Sequence, residues 1–259
     1  MVEVCSLSSG SKGNSYFIRT GDKKILVDVG ISGKRIIEKL SEIGYSILDI
    51  DYIFITHEHS DHVKGLKTLI KKYDIPVFIT KKTYDMLNLD LKPEYLKYIR
   101  KNSELYLDKT IVQIIEKPHD AVDPVFFNFL YMDKKVSIIT DLGSVTESVI
   151  DSVKNSDILF LETNYDKNML YNGQYERFLK KRIDGRLGHL SNCDAASIIE
   201  KYATKSLKYL FLSHISEKNN DFSLIKNLFN SIPEKRKDLK NMEINITFQR
   251  DVSKIVKIS

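Results

Sequence analysis

Three of the chain's six histidines share one stretch, His57-Glu58-His59-Ser60-Asp61-His62, and His119, His189 and His214 each sit in a short polar motif of their own. Neutral imidazole is the commonest protein ligand for zinc-like metals, and no histidine is left over for ordinary surface or core duty. His57 and His59, one residue apart in an extended or loop segment, can point to one side. Asp61 and His62 follow at once, point elsewhere and suit a second ion nearby. His119 and Asp141 are expected at the ends of later strands, and a carboxylate such as Asp141 can offer one oxygen to each of two cations. The inventory is then His57, His59, His119 and Asp141 for one ion, and Asp61, His62, Asp141 and His214 for the other. Nitrogen and carboxylate donors without thiolate suit Zn, Mn or Fe better than Ca or Mg. Two such divalent ions would hold a bridging water, lower its pKa towards about 7 and clamp the attacked centre. Taken singly, His119 or His214 reads equally well as a hydrogen-bonded histidine near a strand end; the ensemble makes them ligands. Asp28 has two readings, a turn residue closing a strand or a carboxylate that orients a ligand imidazole, and the second is preferred.

These groups need elements that aim them at one place. Runs rich in β-branched and aromatic residues predict strands over Val2–Leu7, Ser15–Arg19, Lys24–Val27, Tyr52–Thr56, Val77–Thr80, Ile111–Glu116, Val125–Leu130, Val136–Thr140, Ile158–Leu161, Tyr209–Leu212 and Glu243–Thr247. Helical periodicity predicts helices over Ser32–Ile43, Val63–Lys72, Lys81–Asn88, Val145–Val153, Cys193–Thr204 and Phe222–Phe229. Ser144 before Glu147 and Ser191 before Asp194 have the spacing of capping boxes. Asp28, His57, Asp141 and His214 all follow predicted strands, and in α/β sheets ligands gather at the carboxyl ends of strands. The alternation of strand and helix defines an α/β protein, read as one domain over residues 1–259.

Composition narrows the setting. The longest apolar runs are far too short to span a bilayer, and no basic-then-apolar leader precedes Val4, so no membrane or secretory role is expected. Cys5 and Cys193 form no paired motif, which fits a reducing cytoplasm. The formal charge of +5 permits a polyanionic substrate without establishing one.

Thr56-His57-Glu58-His59-Ser60-Asp61-His62, with Asp28 before it and His119, Asp141 and His214 after it, resembles the metallo-β-lactamase-fold hydrolase superfamily over nearly the whole chain. That resemblance implies an αββα four-layer sandwich of two similar halves, with metals at one edge of the two sheets. Asp61 beside His62 implies a binuclear site in which Asp61 takes part in catalysis. Ser8-Ser9-Gly10-Ser11-Lys12-Gly13-Asn14, Glu162-Thr163-Asn164-Tyr165-Asp166, Gly188-His189-Leu190-Ser191-Asn192 and Leu212-Ser213-His214-Ile215-Ser216 are similar to the motifs of the YycJ/WalJ group, described as metal-dependent 5′–3′ exonucleases acting on DNA. The chain departs from that pattern at Tyr165, where a histidine is common, and at Glu176, where a proline is common. The resemblance gives His189 a catalytic role, contacting the scissile phosphate just ahead of a helix N-terminus. It places Asp28, Asn14, Asn164 and Asn192 around the ligands or the substrate.

Arg177, Lys180, Lys181, Arg182 and Arg186, interleaved with Tyr175 and Phe178, suit a nucleic-acid strand, with cations on phosphates and rings on bases. An ordinary solvated helix face is an equal reading of that run; Arg182 and Arg186 are the substrate candidates within it. The expected activity is a phosphodiesterase with two divalent metal ions, a DNA 5′–3′ exonuclease in which a metal-bridging hydroxide attacks the scissile phosphate with help from His189. The alternatives are a thioester or cyclic-phosphodiester hydrolase on the same metals, against which the basic run argues, and a binding protein with an idle site, for which a ligand should be missing and none is.

Overall fold

Segments such as Val2–Ser8 and Ile158–Glu162 are buried at every residue, so each must be covered on both faces. The computed structural model describes all of residues 1–259. Its first half runs β1 (Val2–Ser8), β2 (Ser15–Thr20), β3 (Lys23–Val27), α1 (Gly33–Glu42), β4 (Tyr52–Phe54), α2 (Ser60–Val63), α3 (Leu66–Lys72), β5 (Val77–Thr80), α4 (Lys81–Leu87) and β6 (Leu96–Ile99). The second half runs β7 (Ser103–Leu107), β8 (Thr110–Glu116), β9 (Val125–Tyr131), β10 (Lys134–Ile139), α5 (Glu147–Lys154), β11 (Ile158–Glu162), α6 (Lys167–Asn172), α7 (Arg177–Ile183), α8 (Asn192–Tyr202), β12 (Tyr209–Ser213), α9 (Phe222–Lys235) and β13 (Glu243–Ile246). The last strand, β14 (Val256–Ile258), returns to the first half and pairs antiparallel with β1.

The strands form two seven-stranded sheets, ordered β14-β1-β2-β3-β4-β5-β6 and β7-β8-β9-β10-β11-β12-β13. In each sheet three antiparallel pairings are followed by three parallel ones. The halves are therefore alike in topology, with β14 in the first sheet where β7 stands in the second. Side chains alternate between faces with the period of a strand. Phe54, Phe127, Phe160 and Phe211 point between the sheets, where Phe54 stacks on Phe78 at 4.6 Å and Phe160 on Phe211 at 4.4 Å. Leu7, Phe17 and Leu26 face outwards onto Ile36 and Leu40 of α1 and Leu69 of α3. Leu159, Leu161 and Leu210 face Val149, Ile199 and Phe229 of α5, α8 and α9. The result is an αββα sandwich. No helix is long and apolar enough to cross a membrane.

Several local expectations change. The predicted helix Val63–Lys72 is two helices, α2 and α3, separated at Gly65, whose N–H donates to Val29 O at 2.8 Å. Ser144 does not cap α5: Thr146 does, its hydroxyl accepting the Val149 N–H, so no box forms with Glu147. Ser191 does cap α8, accepting the Asp194 N–H. Asp194 takes the Ser191 hydroxyl at 2.5 Å rather than its backbone N–H, which is half of the predicted box. α9 runs on to Lys235 through Pro233, held by the buried Phe229 and Ile232. β6, β7, β14, α6 and α7 have no counterpart among the predicted elements; β14 is three residues long and β7 half-exposed, so neither carries a strong hydrophobic pattern.

Candidate metal centre

The carboxyl ends of β3 and β4 in one sheet, and of β10, β11 and β12 in the other, open on the same rim. Asp28, Asp141 and His214 each follow a strand with φ near +55° (58°, 55° and 54°). Asp and His tolerate this left-handed conformation better than most residues, and it turns the side chain abruptly out of the strand direction. Gly30 lets the Asp61 loop close on that rim: a Cβ there would lie 1.6 Å from Asp61 O. All six imidazoles meet, with ring centroids of 4.6 Å for His57–His59, 4.1 Å for His57–His62, 5.1 Å for His59–His119, 5.3 Å for His119–His189 and 5.2 Å for His189–His214.

The outer nitrogen of most rings is already engaged, which leaves the inner one for a ligand. His62 Nδ1 lies 2.7 Å from Asp28 Oδ2. His57 Nδ1 is 2.8 Å from Thr56 Oγ1, whose hydroxyl donates to Asp28 at 2.8 Å. His119 Nδ1 is 3.1 Å from Gly188 O. His189 Nδ1 and His214 Nδ1 each lie 2.8 Å from Glu162 Oε1. Inside this ring of acceptors, His57 Nε2 and His119 Nε2 come within 3.1 and 3.3 Å of His59 Nδ1, a group that could hold one ion. Asp141 Oδ2 lies 3.3 Å from His62 Nε2, and Asp61 Oδ2 lies 3.5 Å from His62 Nε2 and 3.8 Å from His214 Nε2. Asp141 Oδ2 and His214 Nε2 are buried with no hydrogen-bond partner in the protein. Unsatisfied buried polar atoms are costly, and a carboxylate oxygen and an imidazole nitrogen left so beside other donors fit a cation. Asp141, Glu162, His189 and His214 also lie close enough to hold an ion. Glu162 is already saturated there: Oε1 takes both imidazoles, and Oε2 takes the Leu142 and Leu190 N–H groups at 2.6 and 3.1 Å.

Electrostatics follows from this packing. Four carboxylates, Asp28, Asp61, Asp141 and Glu162, crowd the imidazoles against one ammonium, Lys117. Burial disfavours charge on His214, but Asp141 and Glu162 outweigh it and raise its pKa to about 9. Burial also opposes a charged His62, and Asp141, Asp28 and Asp61 overcome it, lifting that ring well above the ordinary range. Burial and charged His62 hold His57 well below it, and burial takes His119 down to about 4. Burial pushes Glu162 up, yet its two histidines bring it to about 2.

A pKa raised on folding adds stability that is complete below the unfolded value near 6.5 and is lost as pH climbs through the folded value, here about 9 for His214. Metal-free protein is therefore expected to lose about 3 kcal/mol between pH 6.5 and 9.5 from His214, with His62 adding to the loss. Urea unfolding in chelator at those two pH values measures this, and stability that rises over the window contradicts it. A bound cation displaces the same protons, so metal affinity should rise with pH across that window.

A cleft of about 290 Å³ opens onto the centre, lined by His59, Asp61, His119, Asp141, His189 and His214 together with Asn164, Tyr175 and Arg182. Asn14 reaches the imidazole–carboxylate cluster, its Nδ2 being 3.3 Å from Asp61 Oδ2 and 3.2 Å from His62 Nε2. Asn164 donates to His214 O at 2.7 Å. Arg182 pairs with Asp120 at 2.5 Å at the mouth. Two expected residues stand apart from both the centre and the cleft. Asn192 is buried in a reciprocal amide pair with Asn220 at 2.8 Å, because its place in the first turn of α8 points it into the loops. Arg186 is exposed and lies outside the cleft, its backbone packed instead on Gly143. Two groups of the site carry no signal in the motifs. Glu162 lies within one of them, but nothing in that stretch marks a carboxylate for two distant rings. Lys117 is fully buried, donates to Thr140 O at 2.7 Å and lies 3.9 Å from Asp141 Oδ2; a lysine two residues before a histidine carries no sequence signal for that position.

A sandwich of this topology with an imidazole–carboxylate cluster on its shared rim defines a metal-dependent hydrolase that uses divalent cations. The family profile described as the metallo-β-lactamase superfamily matches residues 9–152. Exodeoxyribonuclease WalJ of Streptococcus pneumoniae is 39% identical over 222 residues, covering 83% of this chain and 81% of that one. Exodeoxyribonuclease YycJ of Bacillus anthracis is 36% identical over 217 residues, covering 83% and 82%. The metallo-β-lactamase-fold protein YhfI of Bacillus subtilis superposes with a TM-score of 0.71 at 17% identity, covering 99% of this chain and 100% of that one, a likeness of fold. The chain belongs to the metallo-β-lactamase superfamily, in its YycJ/WalJ-like group.

Proposed function

We propose that residues 1–259 act as one unit, a two-metal phosphodiesterase that removes nucleotides from DNA, starting at a 5′ end. The observation that carries it is the convergence of six imidazoles with Asp61 and Asp141 around two buried, unpartnered atoms, Asp141 Oδ2 and His214 Nε2. In this reading His57, His59, His119 and Asp141 hold one ion and Asp61, His62, Asp141 and His214 the other. Bound there, the cations supply Lewis acidity, ionising a water nucleophile near neutral pH and neutralising charge on the attacked phosphate. The chain's own residues do the rest. Asp28, through His62 and Thr56, and Glu162, through His214 and His189, hold the rings so that one nitrogen of each faces inwards. His189, a fifth to a quarter exposed at 23%, presents Nε2 to the cleft, where it donates to a phosphate oxygen and passes a proton to the leaving oxygen. Arg182 exchanges Asp120 for the phosphate of the incoming strand.

The relatives' names support DNA as substrate, and the exposed basic face of α7 beside the cleft supports a polyanion. Purified protein with Mn²⁺ should release mononucleotide from 5′-labelled DNA before it releases label from the 3′ end. His59→Ala should be slower by about 10²-fold or more, since one donor of the His57–His59–His119 group is gone. Equal rates in the two proteins, or label leaving first from the 3′ end, would overturn the reading or its direction respectively.

A further inference from the structure

From the cleft wall we infer that Tyr175 is a stacking platform for the base of the terminal nucleotide, so that the site reads a nucleobase as well as a phosphodiester; this rests on the nuclease reading above. Tyr175 and Ile183 are the only apolar side chains on a wall otherwise made of imidazoles, carboxylates, amides, hydroxyls and one guanidinium. Apart from the imidazoles given over to metal and phosphate in the reading above, a base that enters has one ring to meet. Tyr175 is half-buried and packs against no other aromatic ring; the Lys218 ammonium lies over its face, 5.5 Å from the centroid. Lys218 is exposed, so a base can displace its flexible end at little cost and leave the ammonium free for a neighbouring phosphate.

The segment that carries the ring is also tied down on both sides. Lys180 Nζ donates to Tyr171 O at 2.9 Å and to Gly173 O at 2.7 Å, tying the loop before Tyr175 to α7. Asp184, at the end of α7, accepts the Tyr165 hydroxyl at 2.5 Å and the Tyr171 hydroxyl as well. His189 N–H donates to Ile183 O at 2.8 Å, so the same helix sets the distance between the ring and the imidazole that serves the phosphate. Gly188 makes that contact feasible: a Cβ there would lie 2.2 Å from Arg182 O and Ile183 O. A ring pre-positioned beside a phosphate site binds without further ordering of its loop, and stacking tolerates any base.

The test compares kcat/KM on a 5′-phosphorylated oligonucleotide with that on the same oligonucleotide whose 5′-terminal residue is abasic. Wild-type protein should favour the intact end by about tenfold. Tyr175→Ala should lose that preference while hydrolysing the abasic substrate at the wild-type rate, which also shows that it is folded. Tyr175→Phe should keep the preference, since the ring face and not the hydroxyl is used. Wild-type protein indifferent to the missing base overturns the inference, as does Tyr175→Ala that keeps the full preference or slows both substrates alike, or Tyr175→Phe that loses it. Wild-type protein that degrades neither oligonucleotide fails the nuclease reading itself and takes the stacking with it.

Discussion

Asp141→Asn is expected to lower the hydrolytic rate by about 10³-fold or more and to strip metal from the purified protein. The carboxylate lies 3.2 Å from His214 Nδ1, 3.3 Å from His62 Nε2 and 3.9 Å from both His119 Nε2 and Lys117 Nζ, so it touches both halves of the centre. Asparagine keeps the shape but offers a single neutral oxygen, which would serve the two proposed cations poorly, and the loss of several kcal/mol of charge stabilisation gives the factor stated. The metal-free variant should also be less stable than metal-free wild type. Neutralising Asp141 leaves buried Lys117 without its carboxylate partner and takes one of several carboxylates from His62 and His214, and breaking a buried pair in this way costs roughly 3–5 kcal/mol. Metal content per chain, the rate at saturating metal and a denaturation curve in chelator are three separate readouts. A variant with full metal content and a rate within tenfold of wild type would remove Asp141 from the centre.

His189→Ala should behave differently. The rate should fall by roughly 10²–10³-fold, the usual weight of a positioned acid or oxyanion donor, while metal content stays at the wild-type level. The reason lies in Glu162. Its Oε1 is shared by the Nδ1 atoms of His189 and His214 at 2.8 Å each, so Glu162 orients one ring of the proposed metal set and one outside it. Deleting His189 leaves the His214 contact intact. Glu162→Gln disturbs both rings and should cost metal affinity by about 10–100-fold as well as rate. Metal lost from His189→Ala would make His189 a ligand in the group it forms with Asp141 and His214.

Much of this site is written in local order along the chain. The spacing of His57, His59, Asp61 and His62 needs only a strand, a loop and a short helix; β4 ends two residues short of its predicted bound, and α2 begins three residues before the predicted helix start at Val63, so that it takes in Asp61 and His62. The turns after β3 and β10, Asp28-Val29-Gly30 and Asp141-Leu142-Gly143, have the same pattern, yet their equivalence emerges only from the pairing order of the two sheets. Asn192 and Arg186 show the opposite limit. Both stand within three residues of His189, but one is turned inwards by the first turn of α8 and the other outwards by the loop after α7. Proximity along the chain does not specify direction where the backbone changes from loop to helix.

Residue type and short-range spacing alone sufficed to single out the imidazoles and carboxylates that converge and most of the strands that carry them, because ligand chemistry and strand periodicity are properties of a few neighbouring residues. Only the folded sheets decided that Glu162 would serve two rings, that Lys117 would be buried beside Asp141, and that β14 would close the first sheet against β1. Those contacts join residues 52, 24 and more than 250 positions apart (Glu162 to His214, Lys117 to Asp141, Val2 to Ile258), and nothing in a local pattern encodes which distant strand will become a neighbour.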